Sequence, residues 1–303
     1  MKSTSNRRPG APDPGDGPET RALVIRIGAL GDVLLTRRLC YSLSLAGYRS
    51  TLLAPARHAS LLLADPWIEA VLDSESPLLA EAFDGSWPQE RGGFEVAVVI
   101  SNSEGLAEAA RLAATEVLGI SPAPGREDVS IAQQWADAAR PFCAPFKGKV
   151  PLLGTTRQSA ILAGATLIHA GSGSPAKNWP IERFALVAQR LGALGHRVAW
   201  IRGPVEADLP EEFPPAQVID RPTLQALAST LGESRLYIGN DSGVSHLAAA
   251  VGAPAVVLFG PTSATWWRPD GPRVEAVSTA SGALTDIAVD SVIAATNGVT
   301  GPG

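Results

Sequence analysis

Short apolar runs alternate with longer segments of helical periodicity along the first half of the chain. Their spacing predicts strands over residues 22–27, 50–54 and 94–100, and a helix over residues 33–46 that ends at Gly47. The third of these strands, F-E-V-A-V-V-I, is apolar on both faces. Continuous apolar strands that alternate with helices are typical of a parallel sheet covered by helices on both sides.

The same alternation starts again after a stretch that is crowded with proline and glycine. Residues 140–154 contain three prolines and two glycines without clear periodicity, which predicts a linker. Beyond it, the pattern predicts strands over residues 166–169, 196–201, 235–238 and 255–259, and helices over residues 181–193, 224–231 and 244–251.

We therefore predict an α/β fold of two similar units with a cleft between them. The first unit covers residues 21–150 and the second covers residues 151–303. Residues 1–20 are rich in proline, glycine, serine and charge, and we expect them to be a disordered tail.

Composition narrows the class of protein further. A net charge of −5 argues against a general nucleic-acid binder, which usually carries a basic surface. Cys40 and Cys143 are too few for a disulfide framework and lack metal-ligand spacing, so we expect buried thiols. No apolar run approaches the roughly 20 residues of a membrane span, and the N-terminus does not resemble a signal peptide. We therefore expect a cytoplasmic protein.

The first candidate motif, R-I-G-A-L-G-D at residues 26–32, joins a predicted strand to a predicted helix. Its glycines allow close approach of the backbone to a ligand, but the spacing differs from the G-x-G-x-x-G fingerprint of dinucleotide binding. A nicotinamide dehydrogenase is therefore disfavoured. Asp32 is either a helix cap or a catalytic carboxylate, because the carboxyl ends of strands face the ligand crevice in open α/β sheets.

The second motif, H-A-G-S-G-S-P-A-K-N-W-P, occupies residues 169–180. Its small residues expose backbone N–H groups, Ser172 and Ser174 add hydroxyls, and Lys177 adds a positive charge, a combination that suits phosphate oxygens. The alternative is a surface loop with a solvated lysine. We expect His169, at the end of a strand, to be a core residue.

The third motif, I-G-N-D-S-G-V-S-H-L-A-A-A, begins at Ile238, and F-G-P-T follows at residues 259–262. Asp241 or Ser242 can cap a helix whose N-terminal N–H groups attract a diphosphate, and Gly243 permits close approach. The alternative is a simple capped helix. Three glycine turns at strand ends in both halves converge most naturally across a cleft between the two units.

Together, these motifs resemble the heptosyltransferase family, glycosyltransferase family 9, over roughly residues 21–296. The resemblance implies the GT-B architecture, in which two Rossmann-like domains with parallel sheets face a central cleft. It also implies that the N-terminal domain binds the acceptor, that the C-terminal domain binds the donor, and that transfer inverts the anomeric centre.

The resemblance also assigns roles to individual residues. Asp32 matches the proposed catalytic base, and Glu206 lies near the position of a nucleoside contact. The residues that match contacts to the donor and its phosphates are Ser172, Gly173, Lys177, Asp241, Ser242, Gly243 and His246.

The implied donor is a nucleotide sugar such as ADP-heptose, and the implied acceptor is a glycan or glycolipid such as a lipopolysaccharide core. We expect no cofactor, no obligatory metal, no nucleic-acid partner, and at most peripheral contact with the inner face of the membrane. The N-terminal half departs from the expectation for an anionic acceptor, because it has no evident run of basic residues and offers only the scattered candidates Arg37, Arg38, Arg49 and Arg57. Two alternatives stay open: a nucleotide-sugar epimerase of the same architecture, and a non-catalytic protein that binds a nucleotide sugar.

Overall fold

The computed structural model of the chain describes residues 20–77, 80–81, 84–87, 93–156, 162–203 and 217–301. The predicted disordered tail, apart from Thr20, lies outside these residues. Among the helices of this described part, none has the length and apolar character that crossing a bilayer requires.

The first half of the chain forms a sheet of five parallel strands in the order β3-β2-β1-β4-β5. The strands are β1 Thr20–Ile25, β2 Tyr48–Ala54, β3 Ile68–Asp73, β4 Phe94–Ile100 and β5 Ala114–Ile120. The helices are α1 Leu30–Leu35, α2 Arg37–Leu45, α3 Ala56–Ala59, α4 Glu104–Ala113 and α5 Ile131–Ala138, with a 3-10 turn at Ser60–Ala64.

The second half forms a sheet of six parallel strands in the order β11-β10-β9-β6-β7-β8. Its strands are β6 Thr166–His169, β7 Val198–Arg202, β8 Gln217–Asp220, β9 Leu236–Asn240, β10 Ala255–Leu258 and β11 Val274–Val277. The helices are α6 Ile181–Ala193, α7 Leu224–Gly232, α8 Gly243–Ala250, α9 Ala264–Trp267 and α10 Val289–Thr300, with 3-10 turns at Pro175–Lys177 and Leu284–Asp286.

Alternating side chains of the central strands are buried in two different clusters. Along β1, Val24 packs into one apolar cluster whereas Leu23 and Ile25 pack into another. Along β6, Leu167 and Ile168 divide in the same way. Because successive side chains of a strand point to opposite faces, both sheets are covered on both sides, as the apolar runs predict.

In both sheets, strand order reverses at the first strand of the half. The strand β1 lies between β2 and β4, and β6 lies between β7 and β9. Open α/β sheets bind ligands in the crevice outside the carboxyl ends of the strands at such a reversal. The turns after β1, β6 and β9, which carry the three candidate motifs, therefore lie where each sheet has its ligand crevice.

Several predicted elements are confirmed. The strand Phe94–Ile100, the strand Thr166–His169 and the helix Ile181–Ala193 have the predicted bounds. The single helix predicted over residues 33–46 is wrong, because Thr36 separates α1 from α2 and its hydroxyl donates to the Val33 carbonyl at 2.7 Å. Gly47 follows α2 with a φ of +90°, a conformation that glycine adopts without strain.

The segment between the sheets is tied to both halves. Residues 139–156 form neither helix nor strand, and the Leu153 N–H donates to the Ala250 carbonyl at 2.9 Å. Arg38 forms a two-pronged ion pair with Asp270, with both N–O distances at 2.8 Å, and also donates to the Gly148 carbonyl. These contacts cross the predicted linker, and the division at residues 150 and 151 stays a prediction.

Candidate functional site

Asp32 lies in the first turn of α1, immediately beyond the carboxyl end of β1. It is the third residue of the helix, and its Oδ2 accepts the Ala29 N–H at 3.1 Å. The N-cap position itself is occupied by Ala29, so Asp32 caps the helix from within the first turn and not from the N-cap. Its Oδ1 forms an ion pair with Arg26 Nη2 at 2.5 Å. Both carboxylate oxygens therefore have a fixed partner.

In the loop after β6, the Ser172 side chain forms hydrogen bonds within the loop, and the neighbouring Gly173 has free space beside its backbone. The Ser172 hydroxyl lies 2.7 Å from both the Ser174 carbonyl and Asn178 Oδ1, and it accepts the Ser174 N–H at 3.2 Å. This hydroxyl therefore shapes its own loop. At Gly173, an added Cβ would meet nothing within 4 Å, so a ligand can approach the backbone there.

Lys177 and Asp241 join the second and third motifs through an ion pair. Lys177 Nζ lies 2.8 Å from Asp241 Oδ2, and the Thr262 hydroxyl donates to the same oxygen at 2.8 Å. The Asp241 side chain is only 8% exposed, whereas that of Lys177 is 33% exposed. Asp241 thus holds the ammonium group of Lys177 in place, while the partly exposed side chain keeps access to a bound anion.

Ser242 caps α8, which settles the choice between Asp241 and Ser242 as the cap. Its hydroxyl accepts the Ser245 N–H at 3.4 Å, and Gly243 is the first helical residue. Ser245 is fully buried and its hydroxyl donates to the Asn240 carbonyl at 2.5 Å. The N-terminus of α8 is therefore fixed to the end of β9.

Asn240 ties the second motif to the third. This residue is fully buried, its Oδ1 accepts the Trp179 N–H at 3.0 Å, and its Nδ2 donates to the Ala170 carbonyl at 2.6 Å. One amide thus holds both ends of the loop that carries Lys177. A buried polar group with all its partners in place stabilises one arrangement of the backbone.

The first motif contacts the third motif directly. A Cβ added to Gly31 would lie 3.0 Å from His246 Cδ2, and one added to Gly243 would lie 2.9 Å from Leu30 Cβ. Only glycine allows this approach without displacement of a neighbour. The turn after β1 in one sheet and the helix after β9 in the other are therefore in van der Waals contact.

His246 occupies the centre of this contact. It is 6% exposed, and burial lowers its pKa from the usual value for histidine. The charged groups that face it are Asp241, Asp32 and Asp270, which favour the protonated ring, and Lys177, which opposes it. Because burial dominates, the ring is neutral at pH 7.

The structure brings together Asp32, Lys177, Asp241, Gly243 and His246, five of the residues predicted from sequence. Ser172, Gly173 and Ser242 lie in the same loops, and Glu206 lies outside the described residues. His169 is buried, as expected. These positions support the predicted site, while the role of each residue stays a prediction.

Arg26, Asn240 and Thr262 were not predicted as site residues. All three occur within or beside the quoted motifs, and a basic residue six positions before Asp32 was an available signal. Two basic residues considered for an acceptor are structural instead. Arg37 is buried in an ion pair with Asp65 at 2.7 Å, and Arg38 is held by Asp270.

Within the described residues, no group of three or more histidine, cysteine or acidic side chains is arranged to hold a metal ion. Cys40 and Cys143 are buried, which raises the pKa of the first thiol to about 12 and of the second to about 11. Both thiols are therefore protonated near neutral pH and are poor nucleophiles.

Comparison with solved structures defines the class of fold. A family 9 glycosyltransferase from Veillonella parvula superposes with a TM-score of 0.79 at 20% identity, covering 94% of this chain and 98% of that one. The ADP-heptose lipopolysaccharide heptosyltransferase II of Escherichia coli gives 0.72 at 19% identity, covering 93% and 98%. An E. coli heptosyltransferase with ADP also gives 0.72, at 16% identity, covering 91% and 98%. The predicted GT-B fold is confirmed.

The sequence itself places the chain in a family. Residues 112–292, more than half of the chain, match glycosyltransferase family 9 (heptosyltransferase), and the chain belongs to that family. Lipopolysaccharide heptosyltransferase 3 of E. coli is 35% identical over 102 residues, which are 31% of this chain and 30% of that protein. Lipooligosaccharide heptosyltransferase 2 of Haemophilus influenzae is 29% identical over 126 residues, 37% and 36% of the two chains. Each match thus spans about a third of the curated relative.

The lowered pKa of His246 predicts a pH dependence of stability. Below about pH 6.5, where an unfolded histidine binds a proton, the folded chain resists protonation of His246, so the free energy of unfolding falls as pH falls. We expect His246→Gln to reduce this loss between pH 7.5 and 5.5, as measured by denaturant unfolding. His196→Gln is a second case of the same effect outside the site: burial also lowers the pKa of His196, so this variant should likewise reduce the loss. An unchanged loss in His246→Gln would contradict the prediction.

Proposed function

We propose that the chain is an inverting glycosyltransferase that moves a sugar from a nucleotide-diphosphate donor to a hydroxyl group of a saccharide acceptor. The observation that carries the proposal is the close contact at His246 between the turn that carries Asp32 and helix α8, which follows Asp241, the ion-pair partner of Lys177. A proton acceptor on one side and positive charge on the other are what displacement of a diphosphate requires. Membership of glycosyltransferase family 9 supports the same reaction.

The donor side is formed by α8 and the loop after β6. The N-terminus of an α-helix carries about half a positive charge and presents unbonded N–H groups. Gly243 begins α8, an added Cβ at Gly173 would meet no neighbour, and Lys177 adds a positive charge on a side chain that is one-third exposed. Together they suit two adjoining phosphates, with Asp241 holding the lysine from behind.

The acceptor side is formed by the turn after β1. In the proposed step, Asp32 accepts the proton of an acceptor hydroxyl as the hydroxyl oxygen attacks the anomeric carbon. The bond between that carbon and the diphosphate oxygen breaks, and its electron pair leaves with the nucleoside diphosphate. A single displacement inverts the anomeric centre, and Lys177 together with the α8 N-terminus offsets the charge that develops on the leaving group. The step has no need of a metal ion.

For the donor we propose ADP-heptose, and for the acceptor a saccharide of the lipopolysaccharide core. The names of the relatives support both, since they are lipopolysaccharide or lipooligosaccharide heptosyltransferases and one solved neighbour contains ADP. Arg37 and Arg38 are held in shielded ion pairs, whereas the ion pair of Arg57 with Glu75 is exposed to solvent. Arg49 and Arg57 therefore stay as candidates for contact with an anionic acceptor. A cytoplasmic location, with at most peripheral membrane contact, belongs to the same proposal.

Two alternatives give different results in one assay. An epimerase of the same architecture would convert the nucleotide sugar without an acceptor, and a non-catalytic binding protein would bind it without turnover. Transfer that depends on the acceptor and yields an inverted glycosidic bond favours the proposed function over both. The assay uses ADP-heptose with a panel of core saccharides, and product configuration is determined by NMR spectroscopy.

We expect Lys177→Ala to weaken the binding of ADP, because a hydrogen bond to a charged group contributes about 1.5–3 kcal/mol, roughly a 10- to 150-fold change in Kd. The loss also exposes the Asp241 carboxylate to the diphosphate, so Lys177→Ala/Asp241→Asn should recover part of the affinity. Calorimetric titration gives Kd, and Lys149→Ala, at an exposed position, is the matched control. Wild-type affinity in Lys177→Ala would remove the lysine from the site.

We expect Asp32→Asn to lower turnover by about 10²–10⁴-fold, the usual contribution of a general base. Asparagine can still accept the Ala29 N–H, so α1 should keep its start and ADP should bind normally. If Asp32 served only as a cap, the substitution would be nearly silent. Initial rates of acceptor-dependent transfer, beside melting curves and ADP titrations, separate the two roles.

A further inference from the structure

Arg26 connects Asp32 to neighbouring elements of the N-terminal half. It follows β1 directly, and its Nη2 lies 2.5 Å from Asp32 Oδ1. The two side chains are 14% and 25% exposed, whereas the surface pair Arg190–Asp290 is 49% and 84% exposed. The Arg26–Asp32 pair is therefore partly shielded from water, which strengthens the attraction between its charges.

The guanidinium of Arg26 is itself held by two other elements. Its central carbon lies 5.3 Å from the ring centroid of Trp135, a fully buried residue of α5. Its Nη1 donates to the carbonyl of Ile100, the last residue of β4, at 3.4 Å. A planar guanidinium can stack on an aromatic face and form directed hydrogen bonds at the same time, which an ammonium cannot do. The position of Arg26 therefore depends on α5 and β4 and not on Asp32 alone.

Asp32 is in turn fixed at both of its oxygens. Oδ1 contacts Arg26, and Oδ2 accepts the Ala29 N–H. The remaining lone pairs of the carboxylate then have one orientation relative to α1 and to His246 across the contact.

We propose that Arg26 is a positioning residue for transfer: it orients the Asp32 carboxylate for the attack of the acceptor hydroxyl. This inference rests on the proposed function, because it assigns a role through Asp32. Arg26 contacts Asp32, Ile100 and Trp135, and none of these belongs to the loops proposed to hold the donor phosphates. Its loss should therefore lower kcat without weakening donor binding.

The test compares Arg26→Gln, Arg26→Lys, Asp32→Asn and the double variant Arg26→Gln/Asp32→Asn. We expect Arg26→Gln to lower kcat by about 10²-fold, the typical effect of a small misplacement of a catalytic group, with the Kd for ADP unchanged. Arg26→Lys should recover part of kcat because it keeps the charge but loses the stacking and the second hydrogen bond. The double variant should be no slower than Asp32→Asn, because interacting residues are not additive.

Arg190→Gln is the matched control, since it removes an arginine from an exposed ion pair distant from the site. Wild-type kcat in Arg26→Gln would overturn the inference. So would a double variant in which Arg26→Gln lowers kcat by the same factor in the Asp32→Asn background as in the wild type. Should Arg26→Gln fail to fold, Arg26→Lys decides: normal melting with wild-type kcat overturns the inference. An active Asp32→Asn, or a wild-type chain without transfer, overturns the proposed function and this inference together.

Discussion

The close contact between the starts of α1 and α8 is the constraint on which the candidate site depends. Gly31 lies against His246, and Gly243 lies against Leu30, so a Cβ atom at Gly243 would displace the start of α1 and one at Gly31 would press on the His246 ring. Because each turn follows a strand at the point where its sheet reverses order, this one contact joins the ligand crevices of both sheets.

Buried polar groups give that contact a defined geometry. Asn240 holds both ends of the loop that carries Lys177, and Ser245 fixes the first turn of α8 to the end of β9. On the other side of the contact, Arg26 fixes Asp32. Away from the site, the Arg38–Asp270 ion pair joins the two halves again. Lys177 and Asp32 are thus held by hydrogen bonds and ion pairs before a ligand binds. Less conformational entropy is then lost when these side chains contact the ligand.

The sequence predicts the central strands and the site loops well, for a physical reason. A strand such as Phe94–Ile100 is buried on both faces, so nearly every residue is apolar and the signal is strong. The outer strand Ala114–Ile120 is half-exposed and follows α4 without an intervening turn, so its pattern is weak and it was not predicted. The separation of α1 from α2 was missed because Thr36 breaks the helix through a local hydroxyl contact and not through glycine or proline.

The same distinction between local pattern and tertiary contact applies to the candidate site. Glycines, a lysine and carboxylates at strand ends reveal which residues face the crevice, but not which residues they contact. The ion pair Lys177–Asp241 joins residues from two loops, and the Arg26 guanidinium lies over the ring of Trp135, a residue far along the chain. Such partners are set by tertiary packing, which periodicity and spacing do not encode. At Ser172 the sequence suggested a contact with phosphate, but the hydroxyl forms hydrogen bonds within its own loop.

The central claim is that the three motifs form one binding site for a nucleotide diphosphate, and a crystal structure of the chain with ADP tests it most directly. If there is one shared site, the diphosphate should lie at the N-terminus of α8, within hydrogen-bonding distance of Lys177 Nζ and on the side of the contact that faces Asp32. A nucleotide bound elsewhere, with its phosphates remote from both Lys177 and the start of α8, would contradict the account.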